Sequence, residues 1–149
     1  MTRLVLFVMT VVTAACLAAV ALAQTGPLPP RTFSSSVGPG SDDRQPWEYK
    51  VDGILVGQRR PTLCTGDVDV VFRLAGKVAV RRAVAVRAGI AGLRDETGAP
   101  AACGYRTQFK LRRKPGGPRR GAFVVTAGFL GNAEMAATSA PSHRVRFGR

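Results

Sequence analysis

The sequence predicts an all-β protein, an antiparallel sandwich of six to seven strands fastened by one disulfide between Cys64 and Cys103. Two observations predict it. From Cys64 the even positions read Cys64, Gly66, Val68, Val70, Phe72, Leu74, with Thr65, Asp67, Asp69 and Arg73 among the odd ones. From Cys103 the odd positions read Cys103, Tyr105, Thr107, Phe109, Leu111, alternating with Arg106, Gln108, Lys110 and Arg112. A period of two is the mark of a strand with one buried face, so both thiols belong to the apolar phase of Phe72 and Phe109. A third observation is negative: several short strands follow one another at this spacing with no long helical period and no tandem repeat between them.

The chain opens with an export leader, residues 1–23. Arg3 supplies the positive start, residues 4–22 are apolar or small apart from Thr10 and Thr13, and Ala21-Leu22-Ala23 has the small-x-small form of a cleavage site. Three fates follow from such a segment: removal after Ala23, retention as a membrane anchor, or lipid attachment at Cys16. The polar, proline-rich sequence after Ala23 favours removal, which leaves no membrane span. The continued apolar run from Leu17 to Ala23 argues against the lipid.

Residues 24–45 read as a disordered tether. They hold Pro27, Pro29, Pro30 and Pro39, Ser34-Ser35-Ser36, Gly38 and Gly40, a composition that buries too little apolar surface to offset chain entropy. One domain then occupies residues 46–149.

Its strands follow in order. The first covers residues 48–56, with Gly53 marking a bulge or a close approach. The second covers residues 64–74 and turns at Ala75-Gly76 into residues 77–88. There Arg82 shares the phase of Val78, Val80, Val84 and Val86. A buried unpaired guanidinium is too costly, so a break near Arg81-Arg82 is expected, giving two shorter strands. Residues 89–101 form a loop with room for one helical turn. Residues 103–112 form the next strand, and Pro115-Gly116-Gly117-Pro118 a turn. Residues 122–129 follow, with Phe123, Val125, Ala127 and Phe129 in one phase. After a loop that holds a brief extended or helical piece at residues 134–138, the last strand covers residues 143–147.

The 22 basic residues stand against 9 acidic ones; the leader holds only Arg3 among them, so the remainder carries 21 against 9, a net of +12. Such an excess predicts attraction to polyanions and says nothing of fold; a coding bias toward arginine produces the same excess. Without Cys16 two cysteines remain, enough for one bridge in an oxidising compartment. A metal or redox centre needs closely spaced ligands, and none are present, so no cofactor is assigned.

The stretch from Phe123 to Asn132 (FVVTAGFLGN), followed by Ser139 and a final basic-alternating strand, resembles the closing hairpin of bacterial immunoglobulin-like domains. The likeness covers about the last 30 residues. It implies an immunoglobulin-like sandwich in a secreted or surface-attached protein, acting as spacer, adhesion module or carbohydrate-binding appendage. Phe129-Leu130 stand where a tyrosine-led version is common, and there is a single copy. No tryptophan lies between Cys64 and Cys103, which separates the chain from antibody-type domains.

Lys110, Arg112, Arg113, Lys114, Arg119 and Arg120 bracket the Pro115 turn. They suit a protruding cationic hairpin that docks on an anionic cell-envelope polymer or glycan through arginine forks; a solvated loop whose charges block edge pairing is the other reading. Specific nucleic-acid binding fits less well, because Tyr105 and Phe109 fall on the buried phase instead of between the charges. Asp67 and Asp69, two residues apart, and Asp42-Asp43 fall far short of the six to eight oxygens of a calcium site. His143 is the sole histidine and shares a phase with Val145 and Phe147, which suits packing more than catalysis. Trp47 and Tyr49 suit either a sugar-stacking platform or the closure of the core. The final Arg146-Phe147-Gly148-Arg149 resembles the end of an amidated peptide precursor, although Phe147 also fits the inward phase of the last strand. The sequence thus leads to a secreted, non-enzymatic immunoglobulin-like structural or binding module. Its alternatives are a polyanion-binding protein and a secreted peptide precursor.

Overall fold

A computed structural model describes residues 26–148. The leader, with Cys16, and the terminal Arg149 lie outside the described residues. Eleven strands form two sheets: β1 (Thr32–Phe33), β2 (Ser36–Gly38), β3 (Ser41–Asp42), β4 (Trp47–Val56), β5 (Asp67–Leu74), β6 (Lys77–Ala85), β7 (Arg87–Ala88), β8 (Cys103–Leu111), β9 (Gly121–Phe129), β10 (Thr138–Ser139) and β11 (His143–Phe147). Six of them are five residues or longer, and of these all but β6 follow the strands expected from the sequence; the rest are two- or three-residue pieces along the edges.

In the first sheet β4 is flanked on one side by β1 and β2 and on the other by β8, which carries β7. The second sheet runs β3-β11-β9-β5-β6, with β10 beside β9. All pairings are antiparallel except β3 with β11. Alternation decides which side chains meet between the sheets: Trp47, Tyr49, Val51, Tyr105 and Phe109 from the first, Val68, Val70, Phe72, Phe123, Val125, Phe129, Val145 and Phe147 from the second, all buried. Aromatic rings dominate the contact, with Phe72 and Phe109 at 4.7 Å and Trp47 and Phe147 at 4.3 Å between centroids. Rings at these separations add attraction to the burial they already supply.

Cys64 and Cys103 form the disulfide, 39 residues apart in sequence. Cys103 is fully buried on β8. Cys64 is not in a strand: β5 begins at Asp67, because Gly66 takes a φ of +96° that ends the extended run. A Cβ at Gly66 would also stand 2.9 Å from the Phe129 ring. The bridge therefore ties a core strand of the first sheet to the loop feeding the second.

Three expectations are corrected. Residues 26–45 are no disordered tether, since β1, β2 and β3 lie within them. Phe33 and Val37 pack against the core, and Arg31 and Ser34 donate backbone hydrogen bonds to the carbonyls of Val56 and Ile54. The prolines fall outside these paired residues, so the composition did not forbid edge pairing. The break expected near Arg81-Arg82 comes instead at Val86, where the chain leaves β6 for β7 in the opposite sheet. Arg82 needs no break because it lies at the open side of the sandwich. Its guanidinium donates to the Thr107 hydroxyl (3.0 Å) and the Gln108 carbonyl (2.9 Å) and sits 4.7 Å from the Phe109 ring. Finally, the loop at residues 89–101 holds no helical turn; Arg94 and Pro100 form an isolated bridge there.

A register shift between Phe72 and Arg73 leaves Val80 opposite Phe72 and Val78 opposite Arg73, the extra residue being Ala79. The bulge turns Val78 outward, which explains its exposure of 55%. Gly53 is a close approach without a bulge. Its pairing with β8 is continuous, and a Cβ there would collide with the Ser34 carbonyl and lie 2.7 Å from the Tyr105 ring.

Candidate functional site: a cationic arch over the open end of the sandwich

Residues 112–120 join β8 to β9, and those strands belong to different sheets. The expected cationic hairpin is therefore an arch that crosses from one sheet to the other. Its tip is a turn closed by the Gly117 amide donating to the Lys114 carbonyl at 2.9 Å, with Gly116 at a φ of +73°. That positive φ is a conformation glycine takes without steric cost.

The six basic residues divide. Lys110 is on β8 itself, and its Nζ lies 2.9 Å from Glu48 on β4, so it belongs to the face of the first sheet. Arg112, Arg113, Lys114, Arg119 and Arg120 are exposed on the arch. None of these five has a carboxylate within ion-pair distance among the described residues. On the sheet faces some cations are matched: Lys50 and Arg106 with Asp52, Arg81 with Asp69. Asp52 shows how strong the matching is. Burial pulls its carboxyl upward, yet hydrogen bonds from Ser36, Lys50 and Arg106, with the lysine charge, hold it below the ordinary carboxylate range.

Beneath the arch the two sheets part around a cavity of about 240 Å³. Its buried members are Trp47, Phe123 and Phe147, with Leu74 and Leu111 half-buried; its exposed members include Arg112, Arg113, Lys114 and also Lys77. Lys77 opens β6 directly after the Ala75-Gly76 turn, where both residues take positive φ. It joins the cluster across the sandwich, a neighbour that its position in the chain did not reveal. A second recess adjoins the first. It is lined by Arg113, Arg119, Asp43 and Gln45, and shares Trp47 with the cavity.

Trp47 is 3% exposed, and its indole Nε1–H is buried without a hydrogen-bond partner among the described residues. Tyr49 is wholly buried. Closure of the core, and not a sugar-stacking platform, is therefore the place of both rings. Tyr105 and Phe109 are buried as well.

His143 is half-buried and inward, and its Nε2 lies 2.9 Å from the Ser35 hydroxyl. The sequence placed Ser35 in a tether and so gave no hint of this pair. A nucleophilic triad also needs a carboxylate bonded to the ring, and none is bonded to it among the described residues. Asp69 is engaged by Arg81 at 2.8 Å, and Asp42 accepts from the backbone amides of Glu48 and Arg44. No cluster of three metal-ligating side chains occurs among the described residues, and none of their helices is long and apolar enough to cross a membrane. The chain matches no family model, no curated protein and no solved structure.

Proposed function

We propose that the chain is an exported, non-catalytic immunoglobulin-like module that docks on anionic polymers of the cell envelope or exterior through the 112–120 arch. One observation carries this: Arg112, Arg113, Lys114, Arg119 and Arg120, with Lys77 beside them, gather at one end of the sandwich, and none of the six is in an ion pair among the described residues. Guanidinium forks and ammonium groups so placed suit sulfate, phosphate or uronate oxygens. Burial of Tyr105 and Phe109 removes the stacking surfaces that single-stranded nucleic acid uses. The Cys64–Cys103 disulfide suits an oxidising compartment. The antiparallel pairing of β9 with β11, joined through Ser139, supports the immunoglobulin-like kinship of the closing strands. Phe147 is buried in β11, which favours a structural end over a processed peptide.

The test is chromatography on heparin and on polyphosphate. The protein should be retained and released by salt, since each contact displaces counterions. Charge reversal at Arg113, Lys114, Arg119 and Arg120 should bring elution to much lower salt. Elution at an unchanged salt concentration defeats the proposal.

A further inference from the structure

The arch does more than present charge, because it roofs an apolar space. Trp47, Phe123 and Phe147 line the buried part of the cavity, and Lys77, Arg112 and Lys114 stand at its exposed margin. Water in such a space has few polar partners, whereas ligand sites are commonly apolar with a few polar groups that fix orientation. The volume of about 240 Å³ equals that of about eight waters in the liquid, room for a short hydrocarbon chain. Trp47 is the wall shared by the cavity and the polar recess, so its ring adjoins both the apolar space and the charged margin.

We infer that the open end of the sandwich binds a small amphiphilic anion, its hydrocarbon chain in the cavity and its carboxylate or phosphate head among Lys77, Arg112, Arg113 and Lys114. This rests on the anion-docking role of the arch and narrows it, from charge alone to charge beside an apolar chain. Carboxylate and phosphate heads share the recognising chemistry, a compact oxyanion against arginine and lysine donors. A membrane lipid and a free fatty acid are both sources of such a ligand.

Trp47 is the only tryptophan in the chain, so its fluorescence reports on the cavity wall alone. Protein purified from its own cells is titrated with decanoate, decyl phosphate, decanol and inorganic phosphate below micellar concentrations, and calorimetry counts any binding that fluorescence misses. Decanoate or decyl phosphate should saturate a change in Trp47 emission; the preferred head separates a fatty-acid source from a phospholipid one. Decanol and inorganic phosphate should each bind at least tenfold more weakly. The combined Arg112→Gln, Arg113→Gln, Lys114→Gln protein should lose at least tenfold in affinity for the anions. Ala79→Phe, at an exposed residue of the cavity lining on β6, should weaken the chain's entry without disturbing the buried core.

Absence of saturable binding by either anion overturns the inference, as does binding that both variants leave intact. Equal affinity for inorganic phosphate also overturns it, and that result leaves the polymer-docking proposal standing. Loss of heparin retention together with absent decanoate binding removes both.

Discussion

The Tyr49 hydroxyl, on β4 of the first sheet, donates a 2.5 Å hydrogen bond to the backbone carbonyl of Arg146, on β11 of the second. The bond crosses the core and fixes one sheet against the other at the end where β3 also joins β11. Burial, with Asp42 and Asp43 nearby, pushes this hydroxyl up to about 12. Tyr105 is raised too, chiefly by burial, and its hydroxyl donates to the Ser34 carbonyl at 3.1 Å.

Alkaline pH should therefore unfold the protein through its tyrosines. A phenol ionises in the unfolded chain near pH 10 and in the folded one near pH 12 at Tyr49, so the folded state holds the extra proton between those values. The contribution is complete below pH 10 and is lost as pH climbs through the folded value. The chain has only two tyrosines, so phenolate absorbance should rise together with loss of the sandwich. Tyr49→Phe should cost about 1 kcal/mol at neutral pH and flatten the alkaline slope. A phenolate titration centred near pH 10 in the folded protein would contradict this.

Arg82 should behave as a staple between the sheets. Its stem leaves β6 and its head bonds Thr107 and Gln108 on β8, over the Phe109 ring. Arg82→Ala removes these together and should lower stability by about 1–2 kcal/mol, more than an exposed arginine ordinarily contributes. Arg81→Ala, beside it but paired outward with Asp69, should cost well under 1 kcal/mol. Urea denaturation of the two variants compares them directly.

Gly53→Ala should detach the leading strands. The added methyl occupies the space of the Ser34 carbonyl and the edge of Tyr105, and Ser34 lies between β1 and β2. Overpacking of this kind costs about 1–3 kcal/mol. The expected signature is local: faster amide exchange at Ser34 and Val37, with β5 and β9 unchanged. Uniform protection at wild-type levels would place the clash elsewhere.

Reduction of the Cys64–Cys103 bridge should cost about 4 kcal/mol, the loop-closure value for a cross-link of this length. The bridge closes a loop between residues 39 apart that contains β5, β6 and β7. Cys64→Ala with Cys103→Ala, measured by thermal melting, gives the same quantity without a reductant. Melting within a degree of wild type would show that the packed sheets alone suffice.

Five of the long strands are legible because burial on one face imposes a period of two, which residues 143–147 and 121–129 keep throughout; β6, mostly exposed, is not. The short strands are not legible either. Thr32–Phe33 and Ser41–Asp42 are too brief for a period to register, and backbone pairing to an existing edge, not side-chain pattern, holds them there. Alternation in the sequence runs through Gly66 and so extends the expected strand back to Cys64, whereas the backbone angle of that glycine ends it. A Pro-Gly-Gly-Pro turn between two strands looks the same in sequence whether they share a sheet or face each other across one core, so the arch is indistinguishable there from a hairpin. The basic residues were legible individually; Lys77 and Trp47 joined them only through the sandwich, and no spacing in the chain signals that.

The parallel pairing of β3 with β11 joins Ser41 to Arg146, 105 residues behind it. Until the last strand is present, β3 has no sheet to join and the Tyr49 hydroxyl has no Arg146 carbonyl to bond. Assembly is accordingly a whole-chain event. A nascent chain halted before residue 143 has every residue of the first sheet and still lacks the strand that locks it to the second.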